Sequence, residues 1–108
     1  DKKMSIPTTI PTIATVNGNG DFPGVNGFNY NGGVTHFAVY GTFAGATITI
    51  QASFEEDGAH VFIPLTDEAG SGVSITSNEV IKIDMGKCKL KFVATGAKGT
   101  PAIKIKAS

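Results

Sequence analysis

The sequence predicts an all-β fold: an antiparallel β-sandwich, jelly-roll-like, of about seven or eight strands, preceded by an extended N-terminal arm. Three observations carry that expectation. Apolar and polar residues alternate with period two through most of residues 34–108. Turn residues recur about every 8–12 positions between the alternating runs. No stretch of about ten residues carries apolar side chains at helical spacing. The chain has 108 residues, the size of one domain. The expected division is an arm and Gly/Asn-rich loop over residues 1–33 and a β-sandwich over 34–108.

Taken in chain order, residues 1–16 are rich in Thr, Ile and Pro. Pro7 and Pro11 fix their own φ and bias Ile6 and Ile10 toward extended backbone. Met4 reads as a native start, and residues 1–3 are given no weight. Ile6, Ile10, Ile13 and Val16 would gain from an apolar surface to lie on. Residues 17–33 hold six glycines and five asparagines. Both residue types tolerate positive φ, so the segment reads as loop. Phe22, Phe28 and Tyr30 punctuate it, either tacking the loop to a core edge or presenting an apolar surface to a partner. Ile6, Ile10, Ile13, Phe22, Phe28 and Tyr30 are therefore the candidate partner contacts.

From residue 34 the alternation sets faces. Phe37, Val39 and Phe43 point one way, and His36, Ala38 and Tyr40 the other. Phe43-Ala44-Gly45 reads as a tight corner. Ala46, Ile48, Ile50 and Ala52 face inward, with Thr47, Thr49 and Gln51 outward. Asp57-Gly58 is a pair favoured in two-residue hairpin turns, and Glu55 and Glu56 keep that tip wet. Val61, Ile63 and Leu65 share a face, while Pro64 marks their strand as an edge or a bulge. Residues 79–85 form a further strand. Cys88, Leu90, Phe92 and Ala94 then face in, with Lys87, Lys89 and Lys91 out. Ile103 and Ile105 face away from Lys104 and Lys106.

Composition narrows the function classes. A single cysteine, Cys88, allows no intrachain disulfide, which favours an intracellular site of assembly. No apolar run approaches the roughly 18–20 residues that span a bilayer, and the first residues hold no continuous apolar core of a secretory leader, so no membrane partner is expected. All nine basic residues are lysines, which removes bidentate guanidinium recognition and argues against nucleic acid. Residues 1–78 carry two lysines against seven acids, a net −5; residues 79–108 carry seven lysines against two acids, a net +5. That asymmetry either steers the chain toward a charged partner or reflects solvated strand faces.

Candidate chemistry is sparse. His36 and His60 are the only histidines, on predicted strands, with no convergent ligand set. Asn17, Asn19 and Asp21 have the spacing of calcium-loop oxygens but lack the downstream bidentate Glu. GNGDFPG lacks the Lys-Ser/Thr pair of a phosphate loop. No serine lies in a nucleophile-elbow context. No catalytic residue, cofactor or metal is expected.

The stretches GTFAGATITIQ and LKFVATGA supply the one family resemblance. Through Gly41, Gly45, Ala46, Thr47, Ile48, Ile50 and Gln51, and later Leu90, Lys91, Phe92, Gly96 and Ala97, residues 40–106 resemble small β-sandwich structural proteins of tailed bacteriophages. The resemblance implies a non-enzymatic virion component, a capsid decoration (cement) or head-fibre protein. It would bind the major capsid protein or another virion protein, reside in the virion after assembly in the host cytoplasm, and form a homo-oligomer, a trimer at lattice symmetry points. The alternative is a carbohydrate- or host-recognition β-module of a phage tail or fibre, using Tyr30, Tyr40, Asn29, Asn31 and His36.

Overall fold

The structure is a computed structural model, and it describes residues 12–55, 61–66, 70 and 72–107. Among the described residues, ten strands make two antiparallel sheets. The first sheet has the order β1 (Thr12–Val16), β10 (Ala102–Ala107), β4 (Gly33–Thr42) and β8 (Glu79–Met85). In the second, β9 (Cys88–Thr95) and β5 (Thr47–Ser53) form the centre. β2 (Gly20–Phe22) and β3 (Phe28–Tyr30) both pair with β9, and β6 (Ile63–Pro64) and β7 (Ser74–Ile75) both pair with β5. Each of those short pairs is one edge row broken in the middle.

Read this way, the first half of the chain pairs with the second half in reverse: β1 with β10, β2/β3 with β9, β4 with β8, and β5 with β6/β7. A long antiparallel ribbon wrapped so that successive pairs fall on alternate sheets is a jelly roll, within the sandwich class that the alternation and turn spacing predict. Among the described residues the sandwich already includes Thr12, because β1 to β3 belong to its sheets. The boundary expected at residue 34 is too late, and residues 17–33 hold two edge strands as well as turns. Three-residue strands are too short to show period two, so glycine and asparagine dominate their reading. The predicted arm before Thr12 and the Asp57-Gly58 turn lie outside the described residues.

The core lies between the sheets. Val16, Phe37, Val39, Ile103 and Ile105 fill it from the first sheet, and Ile48, Ile50, Leu90, Phe92 and Ala94 from the second. Phe28 stacks on Phe92 with centroids 6.0 Å apart, and Phe37 meets Phe92 edge-on at 5.6 Å. Each aromatic pair adds about 0.5–1.5 kcal/mol beyond its area burial. Val61 and Ile63, expected to share a face with Leu65, are both 59% exposed, whereas Leu65 packs against the core. Pro64 limits β6 to two paired residues at the edge of the sheet, so alternation there does not correspond to a covered face.

The Phe43–Ala46 corner carries the chain from the first sheet to the second. Ala44 and Gly45 both have positive φ, 51° and 83°, and the Ala46 N–H donates to the Phe43 carbonyl at 2.9 Å. Connections at this end are tied together. The Lys98 N–H donates to the Ala44 carbonyl (2.8 Å), the Ala97 N–H to Asn19 Oδ1 (2.9 Å) and the Gly41 N–H to Asn78 Oδ1 (2.9 Å).

Candidate functional site

The opposite end of the sandwich is the concave one. The exit of β3, the exit of β5 and the β8–β9 turn surround a cavity of about 410 Å³. Antiparallel register brings these elements together: Asn29 faces Lys89, Tyr30 faces Cys88, and Ser53 faces Lys89 from the other side. Lys89 Nζ donates to Asn29 Oδ1 at 3.0 Å, which fixes the amide on the rim. Ser53 is buried, and its Oγ accepts the Glu55 N–H at 3.3 Å. Phe54 stands in the wall with 62% of its surface exposed. The cavity thus combines an aromatic face with amide and ammonium groups, a set suited to binding a polar ligand through stacking and hydrogen bonds.

Cys88 also lines this cavity and is half-buried. Burial pushes its thiol pKa up, which keeps the sulfur protonated near neutral pH and makes it a poor nucleophile. Among the described residues no three His, Cys, Asp or Glu side chains converge. The calcium-like spacing of Asn17, Asn19 and Asp21 does not make a pocket of free oxygens. Asn19 accepts from the Ala97 amide, and Asp21 Oδ2 is ion-paired with Lys91 Nζ at 3.1 Å. His36 lies on β4 opposite Lys82, remote in register from Cys88, and His60 lies outside the described residues.

The candidate partner contacts fall into three groups. Ile6 and Ile10 lie outside the described residues. Ile13, Phe22 and Phe28 are half-buried and pack against the core. Tyr30 is 5% exposed, so its ring is a core residue and not a presented surface. Of the two readings of the aromatic loop, the structure has the loop tacked to the core. The residues set out for ligand recognition also divide: Asn29, Tyr30 and Asn31 line the cavity, whereas His36 and Tyr40 lie on β4 of the other sheet. Phe54 is the wall residue that alternation alone misses, because it follows the last paired position of β5.

Protein-family models, curated proteins and solved structures were compared with this chain, and none matches it. What remains to distinguish the chain is the chemistry of its surface.

That surface distributes the C-terminal lysines over both outer faces. Lys89 and Lys91, on the second sheet, are engaged by Asn29 and Asp21, and Lys91 Nζ also lies 4.3 Å from the centroid of the Phe62 ring. Lys82, Lys104 and Lys106 stand on the first sheet, where β10 and β8 flank β4. Val34, Tyr40 and Val80 share that outer face and are exposed. Among the described residues no buried side-chain polar atom lacks a hydrogen-bond partner.

Proposed function

We propose that this chain is a non-enzymatic structural protein of a virus particle, a capsid decoration (cement) protein that binds the assembled shell. The observation that carries the reading is the outer face of the first sheet. Val80, 65% exposed, together with Val34 and Tyr40, stands among Lys82, Lys104 and Lys106, with the single acid Asp84 across from Val34. A sheet face of exposed apolar groups set among cations suits broad docking on an acidic neighbour. A jelly roll serves viral capsid domains, and it also serves lectins, so the fold supports the reading only by analogy. Binding the lattice in preference to its separate subunits would stabilise the shell by mass action. In this reading the partner is the major capsid protein or another virion protein, and the protein resides in the virion.

Density-gradient fractionation of a lysate of the natural source, probed with an antibody to this chain, tests the proposal. Banding with particles in many copies per particle is expected. Val80→Asp combined with Tyr40→Ala should move the protein to the free fraction while leaving its thermal unfolding unchanged. Wild-type protein found only at the top of the gradient would overturn the reading.

The cavity favours one other reading, a carbohydrate- or host-recognition module of a phage tail or fibre. Phe54 offers a stacking face beside Asn29 and Asn31. A glycan-array signal abolished by Phe54→Ala and untouched by Val80→Asp would select it.

A further inference from the structure

We infer that β8 is a docking edge, and that it takes as an added strand the N-terminal segment of a second copy of this chain. The inference rests on the assembly reading and names the contact between copies. Exposed edges invite pairing, and proteins blunt them with breaks, bulges and prolines. Among the described residues, three of the four edges carry a break, a bulge or a proline. β1 has an irregular register between Thr12 and Ala14. The β2/β3 row is interrupted by a turn containing Pro23. The β6/β7 row is two residues plus two, with Pro64 in the first. β8 is different: seven residues pair with β4 in unbroken register, and its sequence EVIKIDM holds neither proline nor glycine. Its protection is by charge alone, from Glu79, Lys82 and Asp84, which keeps the edge solvated but removes no backbone donor.

A groove of about 790 Å³ runs beside this edge. Ile81, Ile83 and Met85 line it from β8, and Leu65 and Val73 from the second sheet. All five pack against the core from one side and meet the groove on the other. Every second residue of β8 turns its N–H and C=O outward to the same edge. The site therefore offers a backbone ladder and an apolar strip together, which is the chemistry of strand addition.

The segment before Thr12 matches it. In extended backbone, N–H groups alternate between the two edges of a strand. Pro7 and Pro11 are four apart, so their missing donors fall on one edge, and Ile6, Thr8 and Ile10 can pair through the other. The same period places the side chains of Ile6, Thr8 and Ile10 on one face, where the two isoleucines can enter the groove. The segment runs into β1, which is the opposite edge of the same sheet, with β10 and β4 lying between. Taking the place beyond its own β8 would mean crossing four strand spacings, about 19 Å, over the outer face. A second copy presents its segment with no such crossing. Donor edge and acceptor edge differ, so the contact is head-to-tail unless two copies exchange segments reciprocally.

Sedimentation velocity and amide exchange on three chains test this: the full chain, a chain lacking residues 1–11, and the full chain with Ile6→Asp and Ile10→Asp. The full chain should associate with rising concentration. Both altered chains should bind at least about tenfold more weakly, and should unfold cooperatively at the temperature the full chain shows when diluted to the monomer. Alternate amides of β8 should exchange at least about tenfold faster in both. A full chain that stays monomeric overturns the proposal, including one in which its own segment protects β8. Association and β8 exchange that ignore the changes overturn it as well. Because the gradient reads attachment to particles and this experiment reads contact between copies, either proposal can fail alone.

Discussion

The hydroxyl of Tyr30, on the second sheet, reaches the backbone carbonyl of Ile83, on the first, at 3.1 Å, and also approaches the Gly33 carbonyl. One side chain thus crosses the sandwich at its open end and donates its single proton to strand carbonyls of the opposite sheet. Its ring sits 6.5 Å from that of Phe37. Tyr30→Phe keeps the ring and deletes the donor. We expect a loss of about 1–2 kcal/mol, the range for a buried hydrogen bond whose acceptors lose their partner. Tyr30→Ala, which also opens a cavity, should cost about 3–5 kcal/mol. Urea unfolding with an unchanged slope measures both. If Tyr30→Phe matches the wild type, the hydroxyl contributes nothing to joining the sheets.

Gly41 is the glycine that the fold requires most directly. Its φ is +136°, and a Cβ there would collide with the carbonyl oxygen of Ala102 on the neighbouring strand. Because that atom is backbone, it cannot swing away. Gly41→Ala should therefore cost about 2–4 kcal/mol, combining backbone strain with overpacking. Gly24→Ala is the control: nothing lies within 4 Å of the added methyl. It should stay within about 0.5 kcal/mol of the wild type. Thermal unfolding of the two variants side by side decides the matter, and equal losses would refute the steric account.

These two positions also show what the sequence could reveal. Alternation located β5, β9 and β10, because central strands bury one face along their whole length and Ile48, Ile50, Leu90, Phe92, Ile103 and Ile105 all conform. The Phe43-Ala44-Gly45 corner was legible from its turn chemistry. That it changes sheets was not, since period two says nothing about which strand is the neighbour. Ile63 alternates correctly yet is exposed, because an edge cut short by Pro64 has no covered face. Asn19 stood in a stretch read as loop, and Asn78 gave no signal of its own. Their amides bond backbone 78 and 37 positions away, and no local pattern encodes contacts at such separation. The cavity was half legible: Asn29 and Asn31 were singled out, but Phe54 was not, as its role depends on where β5 ends.

Cys88 gives a prediction in pH. Burial raises its thiol pKa, so the folded chain holds the proton to higher pH than the unfolded chain does. The sign follows. Below the usual thiol range Cys88 adds no pH dependence. As pH rises from that range toward the folded value, the unfolded state releases a proton that the folded state keeps, and stability falls. Alkylation by iodoacetamide should show a higher midpoint in the folded chain than in urea. Stability should decline more steeply in alkaline buffer for the wild type than for Cys88→Ala. A folded midpoint at or below the unfolded one would contradict the burial.

The Asp21–Lys91 pair gives the last prediction. Its 3.1 Å contact joins β2 to β9, and the Lys91 side chain is only 12% exposed, against 28% for Asp21. Fully exposed pairs contribute about 0.2–1 kcal/mol, whereas removing one partner of a buried pair costs about 3–5 kcal/mol. This half-covered pair should lie between: Asp21→Asn is expected to cost about 1–2 kcal/mol, because Lys91 keeps its position over Phe62 but loses its counter-charge. Lys91→Met retains the aliphatic stem, so a double-mutant cycle of the two changes isolates the charge interaction at about 1 kcal/mol. Partial burial also weakens salt screening, so most of that coupling should survive 1 M sodium chloride, where exposed pairs are largely screened. A coupling near zero, or one that vanishes in salt, would mean that β2 is held to β9 by its backbone ladder and by Phe22, with the ion pair a bystander on the surface.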